Sequence, residues 1–253
     1  MSKTLGAGAL KKLEAVPSLI REVIVPPPAP TDEITRILVA AQTFYHDLVY
    51  DRALICLEDA LDKWTALCKG AEPPIEVSLY FHCAIGEIQE SIGKDDEALQ
   101  AFKAAQCITA WLPEGHVDMA IPHSSAGRIY YHAQRYEEAL QQFHKAKAVR
   151  EELLGNEHVD TCAVYNNIGA VLLTQNTLKP CLELFSKALE VFQVQLGMEH
   201  PRTTIVRRNL DLAHKLLIDQ PRALPKLPAK PLKVEWENPN TKKKKKKKAK
   251  KKK

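Results

Sequence analysis

Spacing constrains this chain more than composition does. Gly127 recurs as Gly169, and His116 recurs as His158 and again as His200, always at the same interval. A second block recurs at a similar step: YDRALICLEDA at 50–60, DDEALQAFKAA at 95–105, YEEALQQFHKA at 136–146 and LKPCLELFSKA at 178–188. Self-similarity at this period means stacked supersecondary units, none of which buries its apolar face alone. The fold class it predicts is all-α: an α-solenoid of about four helix pairs plus a C-terminal capping helix, with disordered termini.

Local signals place the boundaries. Thr31 or Asp32 offers a side-chain oxygen to the free amides that open a helix reaching about Leu48. The next helix is expected over 51–68, where Ala53, Leu57 and Ala60 fall three and four residues apart on one face, and Lys69-Gly70 ends it. Further pairs are expected at 75–92 with 95–112, 117–133 with 136–154, and 160–175 with 179–196, Gly93 serving as a left-handed stop. Pro201 sits in a first-turn slot where its missing amide is harmless. It leads into a last helix over 202–218, whose Arg207, Arg208, Asp211 and Lys215 supply the polar outer face of a terminal cap.

Three regions follow: residues 1–30, a flexible arm with a Pro-rich linker; 31–220, the solenoid; and 221–253, a disordered, Pro-spaced, Lys-rich tail. The arm carries apolar Leu10, Leu13, Leu19 and Ile20, but Pro17 and the PPPAP run at 26–30 break its helical pattern. It reads as detached and dispensable for folding, the alternative being a short amphipathic segment packed on the first repeat.

Charge is unevenly divided. Net charge is +5, yet residues 221–253 hold 15 Lys and Arg against 2 acidic residues, which leaves the body near −8. Six cysteines lie scattered without CxxC or metal-like spacing and read as buried reduced thiols. No signal peptide and no membrane-spanning run is evident. Cytoplasm is the expected compartment, with a cytoskeletal or ciliary site and the nucleus as alternatives.

The repeat residues resemble tetratricopeptide repeats, particularly those of the kinesin light chain, over about residues 34–218. The small-residue position of the first helix holds Ala41, Gly86, Gly127 and Gly169. The alanine of the second helix is matched by Ala53, Ala98 and Ala139, with Cys181 departing. Leu57, Phe102, Phe143 and Phe185 occupy the wedge position, and Ala60, Ala105, Ala146 and Ala188 the next alanine. Small side chains let paired helices approach closely. The loops LGNEHVDT at 154–161 and LGMEHPRT at 196–203 also resemble the family's connections, so His158 and His200 read as capping or packing elements rather than metal ligands.

The resemblance implies that first helices line a concave face. It assigns there Gln42, His46, Glu87, Glu90, Arg128, Tyr131, His132, Asn166, Asn167, Thr174, Arg208 and Asn209. Asn167 and Asn209 stand one repeat apart, and side-chain amides can pair with any extended peptide backbone or simply solvate the face. The family's clamp for C-terminal carboxylates is not matched, its slots holding Leu38, Gln42, Ala84 and Ile121. In the tail, Trp236 stands between Glu235 and Glu237 and resembles the tryptophan-acidic peptides that kinesin light chains bind, docking either in cis or on a neighbour.

The block formed by Lys242, Lys243, Lys244, Lys245, Lys246, Lys247, Lys248, Lys250, Lys251, Lys252 and Lys253 suits a polyanion: tubulin's acidic tails, another acidic surface or nucleic acid. No aromatic is interleaved, so base stacking is not offered. No phosphate loop, HExxH, GxSxG or dinucleotide fingerprint occurs, and no enzyme and no cofactor are expected. The function expected is therefore a non-enzymatic adaptor binding a peptide segment or helix in the groove. A structural part of a microtubule-based assembly such as the axoneme, or a nucleic-acid-associated factor, are the alternatives.

Overall fold

A computed structural model describes Leu19, residues 26–112 and residues 117–219. The chain divides into two compact units, Met1–Ile218 and Asp219–Lys253. Of the second unit only Asp219 is described, so Trp236 and the lysine block lie outside the described residues, as do His116 and, Leu19 apart, the whole arm ahead of Pro26.

The described residues form nine α-helices: α1 Asp32–His46, α2 Tyr50–Leu67, α3 Ile75–Ile92, α4 Asp95–Thr109, α5 Ile121–His132, α6 Tyr136–Leu154, α7 Val159–Thr174, α8 Leu178–Gln195 and α9 Pro201–Asp219. No strand occurs among them. Each odd-numbered helix from α1 to α7 packs most extensively on the helix that follows it, giving four hairpins, and α9 follows as the unpaired last helix. This is the predicted solenoid. α3 and α6 match the predicted bounds to the residue. The third pair departs: a 3-10 turn at Val117–Ala120 precedes α5, because Pro122 in the first α turn cannot donate the amide that would extend the helix backwards.

Helix ends follow from side chains and from left-handed residues. Thr31 Oγ1 accepts the Ile34 amide at 3.3 Å and so caps α1. Inside each hairpin the chain reverses through one residue at positive φ: Leu48 (61°), Gly93 (86°), Gln134 (60°) and Asn176 (59°). Each reversal is closed by the same 2.8 Å bond, from the amides of Val49, Lys94, Arg135 and Thr177 to the carbonyls of Phe44, Gln89, Tyr130 and Leu172. Only one of the four is glycine. A left-handed conformation costs an L-residue about 1–2 kcal/mol, and Leu48 is 70% exposed with no packing to repay it. Leu48→Gly is therefore expected to stabilise the fold by about 1 kcal/mol, read as a higher urea midpoint at unchanged slope.

The core is a row of small-against-large contacts. Ala53, Ala98, Ala139 and Cys181 are fully buried, as are Phe102, Phe143 and Phe185 beside Gly86, Gly127 and Gly169. The first hairpin exchanges the sizes, with Ala41 in the small position and Leu57 in the wedge. Trp64 joins it to the second hairpin, edge-on to Phe81 at 6.1 Å. Outside that contact a groove of about 760 Å³ remains among α2, α3 and α4, lined by Leu61, Ile75, Phe81 and Ile108, with Trp111 at its rim.

All six cysteines are free thiols. Cys83, Cys162 and Cys181 are buried, while Cys107 is exposed, departing from the expectation of burial. Burial pushes the Cys162 thiol up to about 11 and that of Cys181 to about 12. Among the described residues no helix is long and apolar enough to cross a membrane.

Candidate partner-binding face

The face under consideration is formed by first helices, whose equivalent residues stand opposite one another on neighbours in the stack. With interaxial distances of about 10 Å, long side chains at or one position from the same register can meet. They do so at three successive steps. Between α3 and α5, Arg128 Nη2 donates to Glu87 Oε1 at 3.0 Å and to Glu90 Oε2 at 2.9 Å, with Ser125 Oγ donating to Glu87 Oε1 at 3.4 Å. Between α5 and α7, Tyr131 Oη and Thr174 Oγ1 are 3.2 Å apart. Between α7 and α9, Asn209 Nδ2 donates to Asn166 Oδ1 at 2.8 Å, and Asn166 Nδ2 donates to Asn167 Oδ1 at 3.2 Å.

Glu87, Glu90, Arg128, Tyr131, Asn166, Asn167, Thr174 and Asn209 are accordingly all buried. The amide ladder exists, but its rungs bind each other. These side chains act as clasps between repeats, because a polar group withdrawn from water needs a partner and the neighbouring repeat supplies it. Gln42, His46, His132 and Arg208 are exposed. At the α1 end of this seam Gln42 and His46 turn to solvent.

Arg128 is 1% exposed. Burial alone would pull its guanidinium pKa down, and the carboxylates of Glu87 and Glu90 more than reverse that, so the charge is held firmly.

The inter-repeat loops carry a second set of ties, and these recur one repeat further along. His158 Nδ1 accepts the Asp160 amide and His200 Nδ1 the Arg202 amide, each at 3.2 Å, which makes both histidines caps. Thr161 Oγ1 donates to the Arg150 carbonyl at 3.3 Å and Thr203 Oγ1 to the Phe192 carbonyl at 3.4 Å. Asp160 joins the two loops, receiving Arg150 Nη1 and Arg202 Nη1 at 3.3 Å each. Sequence reasoning missed this bridge. The signal was an acid at 160 answered by a base at 202.

A third tie lies at α4, α5 and α6. His123 Nδ1 is 2.8 Å from Gln142 Oε1, which also accepts Gln106 Nε2 at 3.1 Å. Burial lowers the His123 pKa below 6.5, the Gln142 bond opposing this and Lys145 adding to it; burial likewise lowers His82 and His144. A histidine with a depressed folded pKa binds its proton more readily when unfolded, so its contribution is complete above pH 6.5 and is lost as pH falls through that value. Thermal melts are expected to drop between pH 7.5 and pH 5, and His123→Gln to flatten the drop.

The fold and its clasps define the class: an α-solenoid of helical hairpins whose first helices share one face. Comparison with known proteins shows what the repeat is similar to. The family model for the tetratricopeptide repeat matches residues 118–180. Kinesin light chain TPR-like repeats from Podosopora anserina superpose with a TM-score of 0.59 at 17% identity, covering 74% of this chain and 88% of that one. BtubC (BKLC) from P. vanneervenii gives 0.59 at 16% identity, over 79% and 86%. No curated protein matches the chain in sequence. Residues 118–180 thus match the tetratricopeptide repeat, and the solenoid as a whole resembles kinesin light chain repeats in fold.

Proposed function

We propose that this chain is a non-enzymatic protein-interaction scaffold that holds a partner segment on the face of its first helices and tethers an acidic surface through its lysine tail. One observation carries the reading: three consecutive steps between first helices are locked by buried polar clasps. Such locking fixes the spacing of the exposed groups beside the seam, including His132 and Arg208, and a preorganised face binds without an ordering penalty. The tail, with eleven lysines over 242–253, adds a long-range attraction that salt screens. Trp236 is a candidate anchor in the same tail.

A second reading, a fixed component of a microtubule-based assembly such as the axoneme, is favoured by the likeness to kinesin light chain repeats and by that basic tail, which would sit on an acidic polymer. Cytoplasm, cytoskeleton and cilium are its compartments. Nucleic acid is the third candidate for the tail, with the nucleus as its compartment.

Cross-linking mass spectrometry on affinity-purified full chain, beside a chain ending at Gln220, separates these. A scaffold partner is expected to persist without the tail and to cross-link near His132 and Arg208. Loss of the partner with the tail, together with retention in detergent-insoluble microtubules until high salt, would replace the first reading by the second. Nuclease-sensitive sedimentation would favour the third.

A further inference from the structure

We infer that the segment of this chain centred on Leu19 is a ligand of its own repeat face, seated over the third and fourth hairpins. Leu19 packs against the apolar cluster built from Tyr131 of α5, Phe143 of α6, and Val164, Ile168 and Val171 of α7. Those residues lie far along the chain from position 19. Ala29, ten positions after Leu19, packs instead on the cluster of the first two hairpins. The two contacts thus set Leu19 and Ala29 on different hairpins of the stack.

The reach is sufficient. Leu19 and Asp32 are thirteen positions apart, and a proline-rich run advances about 3.1 Å per residue, giving about 40 Å. Three steps between neighbouring first helices, each about 10 Å, need about 30 Å.

The burial of α7 supports the same conclusion. Every residue from Thr161 to Val171 is buried. Eleven consecutive positions at about 100° each sample the whole circumference of a helix. A first helix of an open solenoid packs on its neighbours and keeps a more open strip, as α3 does at His82, Ile85 and Gln89, which are half-buried. α7 has no such strip. Leu19 packs against the cluster to which Val164, Ile168 and Val171 of this helix belong.

The occupant is the stretch PSLIREV at 17–23, anchored by Leu19 and leading into the prolines. A partner that uses the same part of the face must carry a comparable anchor and displace Leu19. That consequence for partners rests on the scaffold reading above, whereas the docking itself does not.

Two measurements on the full chain test it. With a photoreactive benzoylphenylalanine in place of Leu19, irradiation is expected to link position 19 within the same chain to peptides from Ile121–His132 or Val159–Thr174. Links to other regions only, or only between chains, overturn the docking. In Leu19→Asp, amide exchange in α7 is expected to quicken by about tenfold with α1 and α2 unchanged; unaltered exchange in α7 overturns it equally. If position 19 links in cis but Leu19→Asp leaves recovery of the affinity-purified partner unchanged, the consequence for partners fails and the docking stands.

Discussion

Arg128→Ala is expected to destabilise the solenoid by about 3–5 kcal/mol, because it leaves the Glu87 and Glu90 carboxylates in the interior without the guanidinium that binds both. For a chain of this size each kcal/mol moves the melting temperature by about 2–4 °C, so a fall of at least about 6 °C is expected. The loss comes mostly from the stranded carboxylates and little from the pair's own attraction. Replacing the whole cluster by Arg128→Met, Glu87→Leu and Glu90→Leu should therefore recover most of the stability, since a buried ion pair is often no better than apolar side chains of its shape. Arg128→Lys should rescue only in part, because the ammonium sits on a shorter side chain and must reach the point between both carboxylates that Nη2 occupies. Urea unfolding of the three variants checks this; a loss below about 1 kcal/mol in Arg128→Ala would mean that water already reaches the cluster.

Gly127→Ala should also destabilise, although alanine is the better helix former. A Cβ at position 127 would stand 2.7 Å from Cε1 and 2.8 Å from Cδ1 of Phe143, closer than real side chains approach. Alanine's helical preference returns about 0.5–1 kcal/mol, and overpacking takes about 1–3, so a net loss of about 1–2 kcal/mol is expected. The chain supplies its own rescue. In the first hairpin alanine occupies this position as Ala41 and leucine the wedge as Leu57, both buried. Gly127→Ala with Phe143→Leu should thus be more stable than Gly127→Ala alone, and a double-mutant cycle on thermal melts would expose the coupling. Additive losses would show that backbone movement relieves the contact.

How much of this was legible beforehand divides by physical type. Hairpins, glycine crossings and wedge phenylalanines could be read because they depend on short-range periodicity and side-chain size, which the sequence displays directly. Capping by His158 and His200 could be read from their recurrence. The clasps could not be read in the same way. Glu87, Glu90, Arg128, Tyr131, Asn166, Asn167, Thr174 and Asn209 were placed on the correct helices, yet whether such groups face a partner or each other depends on the distance between neighbouring helices. The opposed charges of Glu87 and Arg128, about one repeat apart, were the available hint. Leu19 was harder still: a prolyl-broken arm gives no period, and only the structure reveals that its leucine returns to the third and fourth hairpins.

The seam of clasps also makes the array unequal along its length when it is pulled. Tension applied between the ends would be carried at the later joints by Arg128, Tyr131 and Asn166, and by the Asp160 bridge. At the first joint Gln42 and His46 of α1 are exposed, and the connection to α3 runs through Lys69 and Gly70, both left-handed, to Pro74, which opens α3 without a side-chain cap. The groove beneath Trp111 lies at the same joint. Extension should begin there, so the leading hairpin would behave as the compliant element of an otherwise stiff spring.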